Sequence, residues 1–202
     1  PVSSTAPAVA ALNNPGKSSP DTFYRPGDTV VYTLGYGCPN TTSGKLNAET
    51  ITVVDTLPAE VVFTSAAWNG TPAAVAGTDY VYDPVAHTVT FTIPSSRIHS
   101  SCRLGTFGPS VVSSMTINTT VKSEAEIPDL TEDGAVNVSN TVDVTIQPIA
   151  GADPVSRTTT YGVTVSIQTH PVGNVSKGGG GPIRNTIGDF SNNLSATYPG
   201  EW

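Results

Sequence analysis

Residues 135–146 read AVNVSNTVDVTI, and this stretch decides the fold because apolar side chains recur at every second position. The apolar positions are Val136, Val138, Val142, Val144 and Ile146. Successive side chains of a β-strand point to opposite faces, so alternation over this length predicts a strand with one buried face. Asn140 falls on the same apolar face, where a polar group needs a partner.

The same alternation recurs upstream in runs that Gly, Pro or Asp turns separate. These runs are DTVVYTLGY (28–36), ETITVVDTL (49–57), AEVVFTSAAW (59–68), HTVTFTI (87–93) and VVSSMTINTTV (111–121), with a shorter one, AVAAL, at 8–12. No segment shows a sustained helical stripe. About seven strands before residue 148 therefore predict an all-β, immunoglobulin-like antiparallel β-sandwich.

The pattern changes after residue 148. Residues 149–202 contain a linker, one more alternating run (YGVTVSIQT, 161–169), a Gly-rich connector, and YPGEW (198–202), which resembles the earlier YRPGD (24–28). We therefore interpret residues 1–148 as one sandwich module and residues 149–202 as a linker plus a β-strand-containing extension that resembles the start of a second module. A strand is unstable alone, so this one must pair in its own sheet or in a neighbour's.

Composition and charge exclude several classes of function. The net charge of -7 and the pI near 4.7 oppose binding to nucleic acid or to anionic lipid. No run of about 18 apolar residues is present, so we expect no direct membrane insertion. No signal peptide or sorting signal is recognisable, and we expect a mature or trimmed form of a secreted protein.

The two cysteines, Cys38 and Cys102, are too far apart for a C-x-x-C metal or redox motif. They form either a disulfide or two buried thiols. Both lie in polar, loop-like surroundings, which favours the disulfide. Closing a loop of this length contributes about 4 kcal/mol in the chain-entropy model.

Four segments together resemble a bacterial and archaeal conserved-repeat surface domain, the domain of unknown function eleven. They are PGDTVVYTL (26–34), ITVVDTLPAEVVFTSA (51–66), YDPVAHTVTFTI (82–93) and VNVSNTVDVTI (136–146). The resemblance covers roughly residues 8–146 and implies an extracellular module of tandem surface proteins, adhesins or filaments, with no catalytic activity and no cofactor. Such modules often carry a lysine in the first strand, and residues 8–12 have none.

Asp55 and Asn140 both fall on apolar faces by alternation. In pilin-like adhesin domains, a lysine, an asparagine and an acidic residue at inward positions form an intramolecular isopeptide bond. Here Lys17 or Lys45 has to supply the amine, and both lie in predicted loops. The alternative is that Asp55 caps the following turn and Asn140 bonds to the backbone.

Six N-x-[ST] sequons make glycosylation a second candidate modification. The asparagines are Asn40, Asn69, Asn118, Asn137, Asn174 and Asn193. A chain so rich in Ser and Thr produces several such sequons by chance.

Other candidate sites have weaker support. The acidic run at 129–133 lacks the D-x-D-x-D spacing of a calcium loop, and the three histidines lack the paired spacing of a zinc site. Because these spacings are missing, we expect no metal site and no cofactor. No nucleophile elbow is present either, so we expect that the chain is not an enzyme. Trp68 with Asn69 is a candidate sugar-binding platform, although an aromatic side chain that caps the core is more usual.

Two functions remain from the sequence. The first is a structural repeat or subunit of a cell-surface filament or stalk, which associates with itself or with tandem modules by strand addition through the runs at 8–12 and 161–169. The second is an adhesin or carbohydrate-binding module whose loops recognise a glycan or a host-surface ligand.

Overall fold

The structure is a computed structural model and describes residues 15–37, 48–99, 102, 111–133, 135–148 and 155–168. Within these residues, ten strands form two sheets. The four-stranded sheet contains, in spatial order, β1 (Lys17–Ser18), β3 (Thr29–Leu34), β8 (Met115–Val121) and β5 (Val61–Trp68). The six-stranded sheet contains β2 (Phe23–Tyr24), β10 (Val155–Gln168), β9 (Ala135–Pro148), β4 (Ala48–Thr56), β7 (Thr88–Pro94) and β6 (Tyr80–Asp83).

Helical structure is minor in the described residues. One α-helix, α1 (Pro128–Asp133), leads towards β9, and two short 3-10 turns cover Ser95–Arg97 and Glu124–Glu126. None of these helices is long and apolar enough to cross a membrane.

The core lies between the two sheets, as the alternation predicts. In β3 the inward Val30, Tyr32 and Leu34 are buried, and in β9 the inward positions from Val138 to Ile146 are buried. Inward side chains of both sheets belong to one continuous apolar cluster. The predicted all-β sandwich is therefore confirmed, and burial of each large apolar side chain contributes about 1.5–3 kcal/mol.

All strand pairs are antiparallel except β10 with β2, which run parallel. The central strand β4 pairs with β7 on one side and with β9 on the other. β6 and β7 form a hairpin, in which they pair from Tyr80↔Phe91 to Asp83↔Thr88. His87 closes this turn with a positive φ of 54°.

The C-terminal strand is not an orphan. β10 pairs with β9 from Val155↔Ile146 to Gln168↔Ala135, with a register shift between Thr159 and Val163. Of the two alternatives left open by the sequence, the structure shows pairing in the chain's own sheet, and strand addition through this segment loses its main support. The run at 8–12 and the rest of the predicted extension, residues 149–154 and 169–202, lie outside the described residues.

Two short strands were not expected from the sequence. β1 and β2 span two residues each, which is too short for alternation to be visible. β1 pairs with β3 and so forms one edge of the four-stranded sheet. Its position brings Lys17 against the core.

Candidate functional site

Four polar or charged residues are buried among the described residues: Lys17, Asp55, Thr119 and Asn140. The Thr119 hydroxyl donates to the Val30 carbonyl oxygen at 3.2 Å, which satisfies it inside its own sheet. The other three gather at one place in the core. We call Lys17, Asp55 and Asn140 the buried triad.

Lys17 reaches the core from the edge of the four-stranded sheet. It pairs with Leu34 of β3, and the Gly35 amide donates to the Gly16 carbonyl oxygen at 2.8 Å beside it. Only 6% of the residue is exposed, and its side chain is fully covered. A lysine is almost never buried to this extent unless it is paired.

Asp55 and Asn140 lie on neighbouring strands of the six-stranded sheet. Asp55 of β4 stands opposite Val142 of β9, so Asn140, two residues earlier in β9, is its diagonal neighbour on the inward face. Both residues are completely buried. The triad therefore links β1 in one sheet with β4 and β9 in the other.

The contacts within the buried triad are incomplete. Lys17 Nζ donates a hydrogen bond to Asp55 Oδ2 and lies 5.4 Å from the centroid of the Tyr32 ring. Four buried atoms around this ion pair have no hydrogen-bond partner in the described structure: Asp55 Oδ1, Asn140 Oδ1, Asn140 Nδ2 and the Tyr32 hydroxyl. Each such group costs about 1–3 kcal/mol, so the fold retains this cluster at the expense of stability.

Burial shifts the ionisation of the pair. Desolvation lowers the pKa of Lys17 from 10.5 to about 8, although the Asp55 carboxylate opposes the shift. Desolvation also raises the pKa of Asp55, and the Lys17 ammonium and the Asn140 amide oppose it only in part. Both shifts favour transfer of a proton from the amine to the carboxyl group. The product is a neutral amine, which is a nucleophile.

The structure brings Lys17, Asp55 and Asn140 together, but the position of Lys17 differs from the one predicted from the sequence. Lys17 was expected in a loop and lies instead in β1. Asp55 does not cap the following turn, since it pairs with Lys17 while the Leu57 amide donates to the His87 carbonyl oxygen at 2.9 Å. Lys45, the other candidate amine, lies outside the described residues.

Tyr32 is a site residue that the sequence reasoning treated only as core. It occupies the middle of β3 and pairs with Ile117 of β8. Asn140 lies near enough to influence the pKa of both Tyr32 and Asp55, yet neither contact meets hydrogen-bond geometry. The inward position of Tyr32 in the alternation of β3, where a hydroxyl needs a partner, was the signal available from the sequence.

The sequons differ in availability. The Asn69 side chain is engaged by Ser113 and Ser114, with contacts of 2.8 to 3.1 Å, and Asn118 Nδ2 donates to Ser65 Oγ at 3.0 Å. Asn137 is exposed on the outward face of β9. Asn40, Asn174 and Asn193 lie outside the described residues, so glycosylation stays a prediction.

The Trp68 platform is not formed. Trp68 is only 6% exposed, its Nε1 donates to the Pro72 carbonyl oxygen at 3.0 Å, and the Arg97 guanidinium lies 4.9 Å from its ring centroid. This ring caps the core. No group of three metal-binding side chains occurs in the described part of the chain.

Cys102 is buried, and its carbonyl oxygen accepts the Ala48 amide at 3.0 Å where β4 begins. Cys38 lies outside the described residues. The Cys38–Cys102 disulfide therefore stays a prediction.

Comparison with known proteins gives a likeness in structure only. No protein-family model and no curated protein matches the chain. A major pilin fragment of Streptococcus agalactiae matches at 9% identity and a TM-score of 0.47, over 77% of this chain and 56% of that one. The N-terminal domain of a Streptococcus gordonii adhesin matches at 17% identity and a TM-score of 0.48, over 76% and 32% of the two chains.

The major pilin subunit of Bacillus cereus matches at 12% identity and a TM-score of 0.47, over 78% of this chain and 41% of that one. The chain thus spans between about a third and just over half of these three structures. The class that its own sheets define is an immunoglobulin-like β-sandwich. That assignment rests on the strands described above and not on these matches.

Proposed function

We propose that this chain is a structural module of a cell-surface filament or stalk, and that an amide bond between Lys17 and Asn140 locks its sandwich. The observation that carries the proposal is the buried triad, in which an amine, a carboxyl group and a carboxamide meet inside an apolar core. Such a cluster destabilises a fold that only has to pack. A reaction among the three groups would explain why the core contains this destabilising cluster.

The reaction needs no cofactor and no co-reactant. Asp55 accepts a proton from the Lys17 ammonium, and the neutral Nζ attacks the Asn140 side-chain carbonyl carbon. The carbon–nitrogen bond to the Asn140 amide nitrogen then breaks as Asp55 gives that proton to the departing group. Asp55 finally takes up the second proton, which Nζ loses as it becomes an amide nitrogen, and so ends protonated. One Lys–Asn amide bond forms and one molecule of ammonia leaves. Each chain reacts once, so the process is a maturation step without turnover.

The position of the bond suits a module that carries tension. It joins β1, at the start of the described chain, to β9, which is followed only by β10 in the described sheet. A pull applied before Lys17 and after Asn140 therefore passes through the bond and bypasses residues 18–139. The sandwich between them cannot extend while the bond is intact.

Two features of the sequence support placement at the cell surface. Only 12% of residues are charged, with Thr, Ser, Gly and Pro in their place, and the strand motifs resemble a repeat domain of surface proteins. Self-association or contact with tandem modules is the corresponding mode of assembly. Its strands remain to be identified, since β10 is already paired in its own sheet.

Peptide mapping tests the proposal. The reduced, alkylated chain is digested and searched for a branched peptide that joins the segment containing Lys17 to the segment containing Asn140. We expect that peptide in the wild-type chain and in Lys45→Met, and its absence in Lys17→Met. A branch at Lys45, or linear peptides for Lys17 and Asn140 throughout, contradicts the proposal.

A further inference from the structure

The Tyr32 hydroxyl is a buried donor with no acceptor in the described structure, and Asn140, whose side-chain carbonyl has no donor, lies near enough to influence the pKa of Tyr32. Tyr32 is 0% exposed, as is Asn140, and neither the hydroxyl nor Asn140 Oδ1 has a hydrogen-bond partner. The Tyr32 ring also lies under Lys17 Nζ, at 5.4 Å from its centroid. Tyr32 thus approaches the buried triad from the opposite sheet.

The proposed reaction needs a hydrogen-bond donor at Asn140 Oδ1 and a proton at the Asn140 nitrogen, but Asp55 supplies only one proton. When Lys17 Nζ attacks, negative charge develops on Asn140 Oδ1 and needs a donor. The departing Asn140 nitrogen also needs a proton before it can leave as ammonia. Asp55 holds only the one proton that it takes from Lys17. That proton cannot both stabilise the developing charge on Asn140 Oδ1 and move to the departing nitrogen.

We infer that the Tyr32 hydroxyl donates to Asn140 Oδ1 as the Lys17–Asn140 bond forms, and so stabilises the oxyanion while Asp55 protonates the leaving nitrogen. The inference rests on the proposed function. The O–H bond of Tyr32 does not break, so the atom balance of the reaction is unchanged.

The surroundings of Tyr32 suit a donor that keeps its proton. Burial and the negative charge of Asp55 raise the pKa of Tyr32 above its ordinary value. The hydroxyl is therefore present as O–H throughout the range in which the amine reacts. Its fixed position in the middle of β3, bonded to β8, means that little reorganisation is needed when charge develops.

The test measures the rate of ammonia loss in newly made chains. Wild-type protein and Tyr32→Phe are synthesised in a cell-free system and quenched with acid at intervals, and the mass of each intact chain is determined. Tyr32→Phe keeps the ring and removes only the hydroxyl. We expect it to react about 100- to 1000-fold more slowly, because an oxyanion donor is lost.

Tyr36→Phe is the matched control. The Tyr36 hydroxyl donates to the Val112 carbonyl oxygen and accepts the His99 amide at 2.9 Å, so its loss perturbs a buried tyrosine away from the triad. We expect Tyr36→Phe to react at the wild-type rate. Circular dichroism of each sample reports the folded fraction, and rates are compared per folded chain.

A second replacement keeps the hydroxyl and alters its strength. 3-Fluorotyrosine at position 32 is a stronger donor of nearly the same shape, and the reaction should be faster than in the wild-type chain. An unchanged rate in both Tyr32→Phe and the fluorotyrosine protein overturns the role of Tyr32 alone. A wild-type chain that never loses ammonia overturns the proposed function itself, so the two failures are distinguishable.

Discussion

Asp55 is the residue on which the chemistry depends, because it is the only proton acceptor seen on Lys17 in the described structure. Its burial keeps water from taking over that role. Asp55 Oδ1 has no hydrogen-bond donor in the described structure, so it is available to exchange a proton with the departing nitrogen. Removal of this carboxyl group should therefore stop the reaction while Lys17 and Asn140 stay in place.

We predict that Asp55→Ala retains the full sequence mass, without loss of ammonia. Asp83→Ala is the control, since Asp83 is exposed in the β6–β7 turn and accepts the Val85 and Ala86 amides at 2.8 and 3.0 Å. That variant should react normally. Intact mass of the reduced proteins, with circular dichroism to verify folding, gives the answer, and ammonia loss in folded Asp55→Ala refutes the role of Asp55.

The pH dependence of stability follows from the two shifted groups, and Asn140→Ala isolates them because it removes the electrophile. The pKa of Lys17 falls from 10.5 to about 8 on folding, so the unfolded chain binds more protons in that window and stability rises with pH across it. The pKa of Asp55 is raised above 3.8, so stability falls as pH increases above that value. We expect urea titrations of Asn140→Ala to show a minimum between the two windows.

The wild-type chain should lack the alkaline rise. In the bonded protein Lys17 Nζ is an amide nitrogen and does not titrate, whereas Asp55 still does. If the free energy of unfolding rises equally above pH 8 in the wild-type protein and in Asn140→Ala, the Lys17 amine is free in both. That result contradicts the bond.

At the scale of elements, the proposed bond joins an edge strand to a central strand of the other sheet. β1 contains only two residues and depends on β3 for its backbone pairing, so it is easily detached without a cross-link. β9, in contrast, is paired along both sides. The proposed bond would therefore give β1 the stability of β9.

We predict that Asn140→Ala lowers the free energy of unfolding by about 5 kcal/mol, the chain-entropy value for a cross-link that closes a loop of this size. Asn137→Ala is the control, because Asn137 is exposed on the outward face of the same strand. Its effect should stay within about 0.5 kcal/mol. Equal unfolding midpoints in denaturant for the two variants count against a covalent link.

The predicted Cys38–Cys102 disulfide would link the segment after β3 to the segment that contains Cys102. The Cys102 carbonyl oxygen accepts the Ala48 amide where β4 begins. We expect both cysteines to resist alkylation in the unfolded, unreduced chain and to be alkylated after reduction. Alkylation without reductant shows two thiols and removes the disulfide from the description of this fold. The Lys17–Asn140 bond should be unaffected by the reductant.

The elements that could be predicted from the sequence are those with long alternation. The strands that follow from their periodicity are β3, β4, β5, β7, β8 and β9, and the inward positions of Asp55 and Asn140 follow in the same way. β1 could not be found this way, because two residues between Pro15 and Pro20 show no period and resemble a loop. Its partner is set by tertiary pairing with β3, which is why Lys17 was placed wrongly and the triad was only half visible.

At the scale of the whole molecule, the proposed bond would make the sandwich a unit that transmits force without unfolding. The sheets enclose one apolar core, and the proposed bond spans that core from one sheet to the other. This arrangement distinguishes a structural module from a sandwich that presents a ligand site on its loops. The difference is mechanical and can be measured on single molecules.

We predict that a chain held at its N terminus and after residue 168 shows no extension from residues 18–139 under force. Asn140→Ala held in the same way should unfold and release roughly 3.4 Å for each residue freed. Force spectroscopy on tandem copies of each protein makes the comparison. Unfolding of the wild-type chain to the same length as the variant contradicts a bond at this place.

The mass of the intact, reduced protein tests the central claim most directly. If Lys17 and Asn140 have joined, the folded wild-type chain is lighter than its sequence by one molecule of ammonia, and Lys17→Met and Asn140→Ala each match their own sequence masses. A wild-type chain at its full sequence mass contradicts the account.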